Sequence, residues 1–163
     1  MNDKEPPIDL VMTNLRKLLE EKGEFNAVIL SNDPAMPVIP CNQLPPRQTL
    51  DVLLMMKSMG MFDPGWAMVA SDSYHWSGET GEKKPSYSLK LLFERKDPRV
   101  SECLMVTFYS KHKRFSAMQP YLRAGDGAFI YDDVIMMDDG TEEEEHFGGD
   151  LPERLKRLVD HVG

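Results

Sequence analysis

An α+β fold, with an antiparallel meander of about five to six strands packed against about three helices, is what this 163-residue sequence predicts. Three observations carry that expectation. Helical periodicity occurs near both ends and once between them. Short strand-like runs joined by tight turns fill the middle. Nothing alternates strand with helix in the manner of a doubly wound parallel sheet.

From Ile8, the apolar residues Ile8, Val11, Met12, Leu15, Leu18 and Leu19 follow the spacing of an amphipathic helix, and Gly23 stands where a left-handed cap would end it. The β-branched run FNAVILS (Phe25–Ser31), ahead of the turn-forming NDP, reads as a strand, and MPVIPC reads as a proline-limited edge segment returning beside it. In QTLDVLLMMKSMGMF, the residues Leu50, Val52, Leu53, Leu54, Met55, Met56 and Met59 cover nearly the whole circumference. The expectation is therefore a helix buried on more than one side.

GWAMVASDS (Gly65–Ser73) and SYSLKLLFER (Ser86–Arg95) read as strands flanking a polar loop, Tyr74–Pro85. The second alternates, with Tyr87, Leu89, Leu91 and Phe93 on one face. ECLMVTFYS and RFSAMQPYLR form a hairpin with Lys111, His112 and Lys113 at its tip, and GAFIYDDVIMM follows the Gly-Asp-Gly turn at 125–127 as a further strand. In DLPERLKRLVDHV, Asp150 is placed as an N-cap, and Leu151, Leu155, Leu158, Val159 and Val162 form an apolar stripe. Helices covering one face of the sheet would complete a single domain over residues 1–163.

The net charge of −8 hides a reversal. Residues 1–82 carry six Lys/Arg against twelve Asp/Glu, residues 83–123 carry ten against three, residues 124–150 carry none against ten, and the tail carries three against two. An acidic balance opposes general nucleic-acid binding, which needs cations to displace counterions from phosphate. The basic tip KHKRF, with Tyr109 and Phe115 as rings that could stack on bases, does not outweigh it. No apolar run is long enough to cross a bilayer and no secretory leader is visible at the start, so a cytoplasmic protein with no membrane association is expected. Cys41 and Cys103 are expected as reduced thiols, with Cys103 acting as a small buried hydrophobe.

No P-loop, GxGxxG, GxSxG, HExxH or CxxC motif is present. SDSYHWSGET places Asp72, His75 and Glu79 at the expected end of a strand, where polar side chains can converge. Further metal-ligand candidates are His112, His146, Glu102 and the carboxylates near 132–139. Ser71, Ser73 or Cys103 with His75 or His112 are the parts available for nucleophilic chemistry. The stretch DDGTEEEEHFGGD packs seven carboxylates into thirteen residues, but four consecutive glutamates repel one another and lack the D-x-D-x-D-G alternation of a calcium loop. A mobile acidic loop over 138–149 is expected, with no metal or other cofactor.

The segments MVASDSY, DPRVSECLMVTFYS and GDGAFIYDD resemble those of small uncharacterised proteins from actinobacteria and their phages. The resemblance covers about the middle half of the chain and implies no activity. The functional expectation is a non-enzymatic interaction or regulatory factor, of the phage accessory kind, binding a protein partner through charge-complementary surfaces. Lys111, Lys113 and Arg114 would form one such surface and Glu142, Glu143, Glu144 and Glu145 another, with self-association open. The alternative is a metal-dependent hydrolase centred on Asp72 and His75.

Overall fold

The computed structural model describes residues 6–77, 88–138 and 151–160. Seven strands form one antiparallel sheet: β1 (Val28–Ser31), β2 (Val38–Pro40), β3 (Trp66–Trp76), β4 (Val100–Ser110), β5 (Arg114–Arg123), β6 (Phe129–Tyr131) and β7 (Ile135–Asp138). The spatial order is β2-β1-β3-β4-β5-β6, and β7 also pairs with β5. The expected meander and α+β class are therefore present, with one strand more than the expected range.

β6 and β7 are two halves of one interrupted strand. Tyr121 pairs with Tyr131 and Met118 with Ile135, so Gln119 and Pro120 oppose three residues, Asp132 to Val134. The Pro120 carbonyl accepts from the Asp132 N–H at 2.9 Å, and in an antiparallel strand a residue's N–H and C=O point the same way. The donor that Pro120 lacks would thus have faced this edge, and the ladder bulges there. Gln119 Nε2 donates to the Asp132 carbonyl instead, at 2.9 Å, and Arg16 Nη1 holds Gln119 Oε1 at 2.8 Å.

Helices cover both faces of the sheet, not one. On the first face α1 (Ile8–Lys22) packs Val11, Met12, Leu15 and Leu19 against Trp66, Met68, Ala70, Leu104, Val106, Phe108, Phe115 and Ala117. Gly23 ends the helix at φ 77°, its N–H donating to the Leu19 carbonyl at 2.7 Å, as the spacing predicts. On the second face α2 (Pro46–Ser58) and α4 (Leu151–Asp160) bury Leu50, Leu53, Leu155, Leu158 and Val159 against Ile29, Ala67, Val69 and Tyr109. Lys57 joins these two helices: its buried ammonium donates to the carbonyls of Leu158 and Val159 at 2.7 and 2.8 Å.

One expected strand is a helix. Residues Leu89–Glu94 form α3, in which Leu92 is buried while Leu91 is exposed, the reverse of what alternation from Tyr87 to Phe93 requires. Leu89, Leu92 and Phe93 also satisfy helical spacing, and a short apolar run of this kind does not choose between the two periods. Lys96, at φ 62°, turns the chain after it. The helix α2 corrects a second expectation. Leu50, Leu53 and Lys57 face the core, but Val52, Met55 and Met59 are exposed, so only one of its two apolar sides is buried. Among the described residues no helix is long and apolar enough to cross a membrane.

Candidate functional site

β3 runs three residues beyond the expected end at Ser73, and this extension decides where the candidate residues point. Successive strand side chains alternate in direction, so Asp72 and Tyr74 continue the α1 face of Trp66, Met68 and Ala70 while Ser71, Ser73 and His75 point to the other. Asp72 and His75, the expected hydrolase pair, are thus on opposite faces of the sheet. His112, at the tip between β4 and β5, is roughly 25 Å away along the strands at ~3.3 Å per residue. Among the described residues no three His, Cys, Asp or Glu side chains form a group that could hold a metal ion.

Among the described metal-ligand candidates, Glu102 is the one brought to Asp72. It precedes Leu104, Val106 and Phe108 at the same parity on β4, and Tyr121 on β5 lies directly opposite it. The Tyr121 hydroxyl donates to Asp72 Oδ1 at 2.5 Å and lies 3.4 Å from Glu102 Oε1. Arg123 grips Glu102 with two bonds, Nε to Oε2 at 2.8 Å and Nη2 to Oε1 at 3.0 Å, and Nη2 also donates to the Gly23 carbonyl at the end of α1. Tyr121 and Glu102 are buried, and Asp72 is half-buried.

Above this network opens a cleft of about 560 Å³. Its walls are Lys22 of α1, Glu24, Phe25 and Asn26 of the loop into β1, and Lys90 of α3; Asp72, Tyr74 and Glu102 of the sheet also line it. Tyr74 rests on Phe93 of α3, with ring centroids 5.2 Å apart. Burial pushes the Asp72 carboxyl above the ordinary aspartate value; the Tyr121 hydrogen bond opposes that shift, and the nearby Glu102 reinforces it. Tyr121 is itself held far above the usual phenol range by burial and by the carboxylate it serves. The Arg123 guanidinium is held in its charged form chiefly by its hydrogen bonds to Glu102.

The nucleophile candidates occupy the other face. Ser73 pairs with Cys103 and His75 with Ser101 across the β3–β4 ladder, and the Ser71 and Ser73 hydroxyls lie 2.8 Å apart. Cys103 has no exposed surface, and burial pushes its thiol up to about 12, so it is a core residue and not a thiolate. Cys41 is also a free, buried thiol.

The basic tip divides. Lys113 lies over the Phe115 ring at 5.1 Å, Arg114 sits opposite Tyr109, and Lys111 stands near Lys57, whose ammonium is pushed below the ordinary lysine value chiefly by burial and in smaller part by Lys111. The two rings that could have stacked on bases are both core residues: Tyr109 is buried with its hydroxyl on Asp160, and Phe115 stacks on Phe108 at 5.0 Å. Glu79, Lys83, Lys84, the acidic loop with Glu142, Glu143, Glu144, Glu145 and His146, and Asp150 lie outside the described residues.

The sequence offered Asp72 and Glu102 as separate candidates, and strand parity would have put both beneath α1 had the end of β3 been legible. Tyr121, Arg123, Lys22 and Lys90 carried no motif at all. Comparison with protein-family models, with curated proteins and with solved structures finds no match.

Proposed function

We propose that the protein is a non-catalytic, cytoplasmic interaction factor that docks a partner protein on the outward face of α2. The single observation that carries this reading is the second apolar side of that helix. Val52, Met55 and Met59 recur at i, i+3 and i+7, with Met61 just beyond, and they are 45%, 64%, 68% and 56% exposed. Exposed apolar side chains at this spacing are costly to hydrate and mark contact surfaces, and methionine adapts its shape to a partner. Leu122 and Ile130, a cross-strand pair at the β5–β6 edge, form a smaller exposed spot.

The partner's chemistry follows from what borders the stripe. Lys57 is spent on the buried side of α2, where it bonds α4, but the exposed Lys111 of the hairpin tip stands within electrostatic reach of it and so near the end of the helix. The complementary surface is apolar and flanked by carboxylates, which retains part of the charge pairing expected of Lys111, Lys113 and Arg114. Two unpaired, buried thiols suit a reducing compartment.

The test is capture of one partner from the native host by the wild type and by a Met55→Glu/Met59→Glu double variant of equal melting temperature. The expected loss of affinity is more than about tenfold, or about 1.4 kcal/mol, and Lys111→Glu should give a smaller loss that fades with added salt. Retention of the partner by the double variant at unchanged affinity would remove α2 from the interface. A homodimer dispersed by the same substitutions would assign the stripe to a second copy of the chain.

A further inference from the structure

The cleft beside Asp72 is independent of the α2 stripe, and its charges have an unusual balance. Five charged side chains line it: the carboxylates of Glu24, Asp72 and Glu102 and the ammoniums of Lys22 and Lys90. Glu102 is already matched by the two bonds from Arg123. What remains is two carboxylates and two ammoniums around one water-accessible space.

We propose that this cleft is a binding site for a small zwitterion, its ammonium seated against Asp72 and its anionic group between Lys22 and Lys90. Asp72 is built for the first half. Tyr121 fixes one of its oxygens, and among the described residues no other hydrogen-bond partner holds it, while no cation is bonded to it as Arg123 is to Glu102. The ring of Tyr74, steadied by Phe93, offers a face on which an ammonium or its methylene chain can rest.

Charge and shape exclude the nearer alternatives. A divalent cation needs several carboxylates closing on one point, and among the described residues no such group exists. A large apolar ligand would need an apolar lining, and of the cleft residues only Phe25 is aliphatic or aromatic without a polar group. The volume, about 560 Å³, falls within the usual range of small-molecule sites. Asp72, fixed through one oxygen by Tyr121 and bonded by no ammonium or guanidinium, leaves its other oxygen to accept from a ligand cation in the cleft.

Backbone-amide NMR titration tests the proposal with glycine, β-alanine and γ-aminobutyrate as zwitterions and with n-butylamine and butyrate as carriers of one charge each. At least one zwitterion is expected to shift the amides of residues 22–26, 72–74 and 102 saturably, and the single-charge probes to bind about tenfold more weakly. Asp72→Asn, which keeps an acceptor for Tyr121, and Lys90→Ala on the exposed helix α3 should each weaken that zwitterion by a similar factor with the protein still folded. Absence of saturable shifts from all three zwitterions would overturn the proposal. So would n-butylamine binding as tightly as the zwitterions, or full binding by folded Asp72→Asn.

Discussion

The α1 face of the sheet has two ends built from the same three strands, and they differ in kind. Toward the hairpin tip, Trp66, Phe108 and Phe115 form a dry aromatic stack, with Trp66 and Phe108 centroids 5.8 Å apart. At the other end, the same parity of β3, β4 and β5 presents Asp72, Glu102, Tyr121 and Arg123, joined by hydrogen bonds. Apolar residues of similar volume commonly serve as well as buried charges or better, so stability alone does not account for the polar end. The dry end holds the fold together; the polar end holds a carboxylate in place at the edge of a cleft.

If that division is right, the largest loss of stability should come from the dry end. Phe108→Ala removes a side chain that is 2% exposed and contacts two other rings, and should cost about 3–5 kcal/mol. Urea denaturation checks it. A cost below about 1 kcal/mol would mean that the aromatic stack is not the anchor and would erase the contrast with the polar end.

A middle-sized effect is expected from Tyr121→Phe. The ring stays, with its neighbours Phe129 and Tyr131, but Asp72 Oδ1 loses its donor. Leaving a half-buried acceptor without its partner should cost about 1–3 kcal/mol. Because the Tyr121 bond lowers the Asp72 pKa against the effect of burial, its removal should move that pKa further up, which carboxyl ¹³C NMR can follow. Loss of stability without movement of the Asp72 titration would show that Tyr121 acts by packing and not by holding the carboxylate.

The sequence disclosed the dry end far better than the polar one. Periodicity places Val11, Met12, Leu15 and Leu19 of α1 correctly, because burial imposes a repeat that can be read without knowing the partner element. It does not say that Glu102 continues the even-numbered row of β4 into a site, because one buried carboxylate is not a pattern. Asp72 was visible, but its neighbour was mistaken: with β3 expected to end at Ser73, His75 lay in a loop and could turn toward it. Three more paired residues put it on the opposite face. α3 was misread for a related reason, since Leu89 to Phe93 fits two periods and tertiary packing of Leu92 chose between them. The outward side of α2 was legible as apolar but not as exposed, because hydrophobicity shows what would gain from burial and not whether anything covers it.

The smallest expected effect is also the sharpest test of the contrast, because its sign is opposite to the other two. Burial raises the Asp72 pKa in the fold above the ordinary 3.8. A group shifted upward contributes stability that is fully present below its unfolded value and is lost as pH rises through its folded value. At neutral pH the wild type therefore carries a half-buried negative charge that weakens the fold. Asp72→Asn removes that charge at every pH and keeps a carbonyl to accept from Tyr121. The variant should melt above the wild type at neutral pH, and the gap should close as pH falls into the ordinary carboxylate range, where Asp72 is protonated as well. The other groups around Asp72, namely Glu102, Arg123, Glu24, Lys22, Lys90, Tyr74 and Tyr121, are present in both proteins, so the difference between the two melting curves reports the change at position 72. A variant that melts lower at neutral pH would mean that the carboxylate is a structural tie after all, and the two ends of the sheet would then differ in composition but not in purpose.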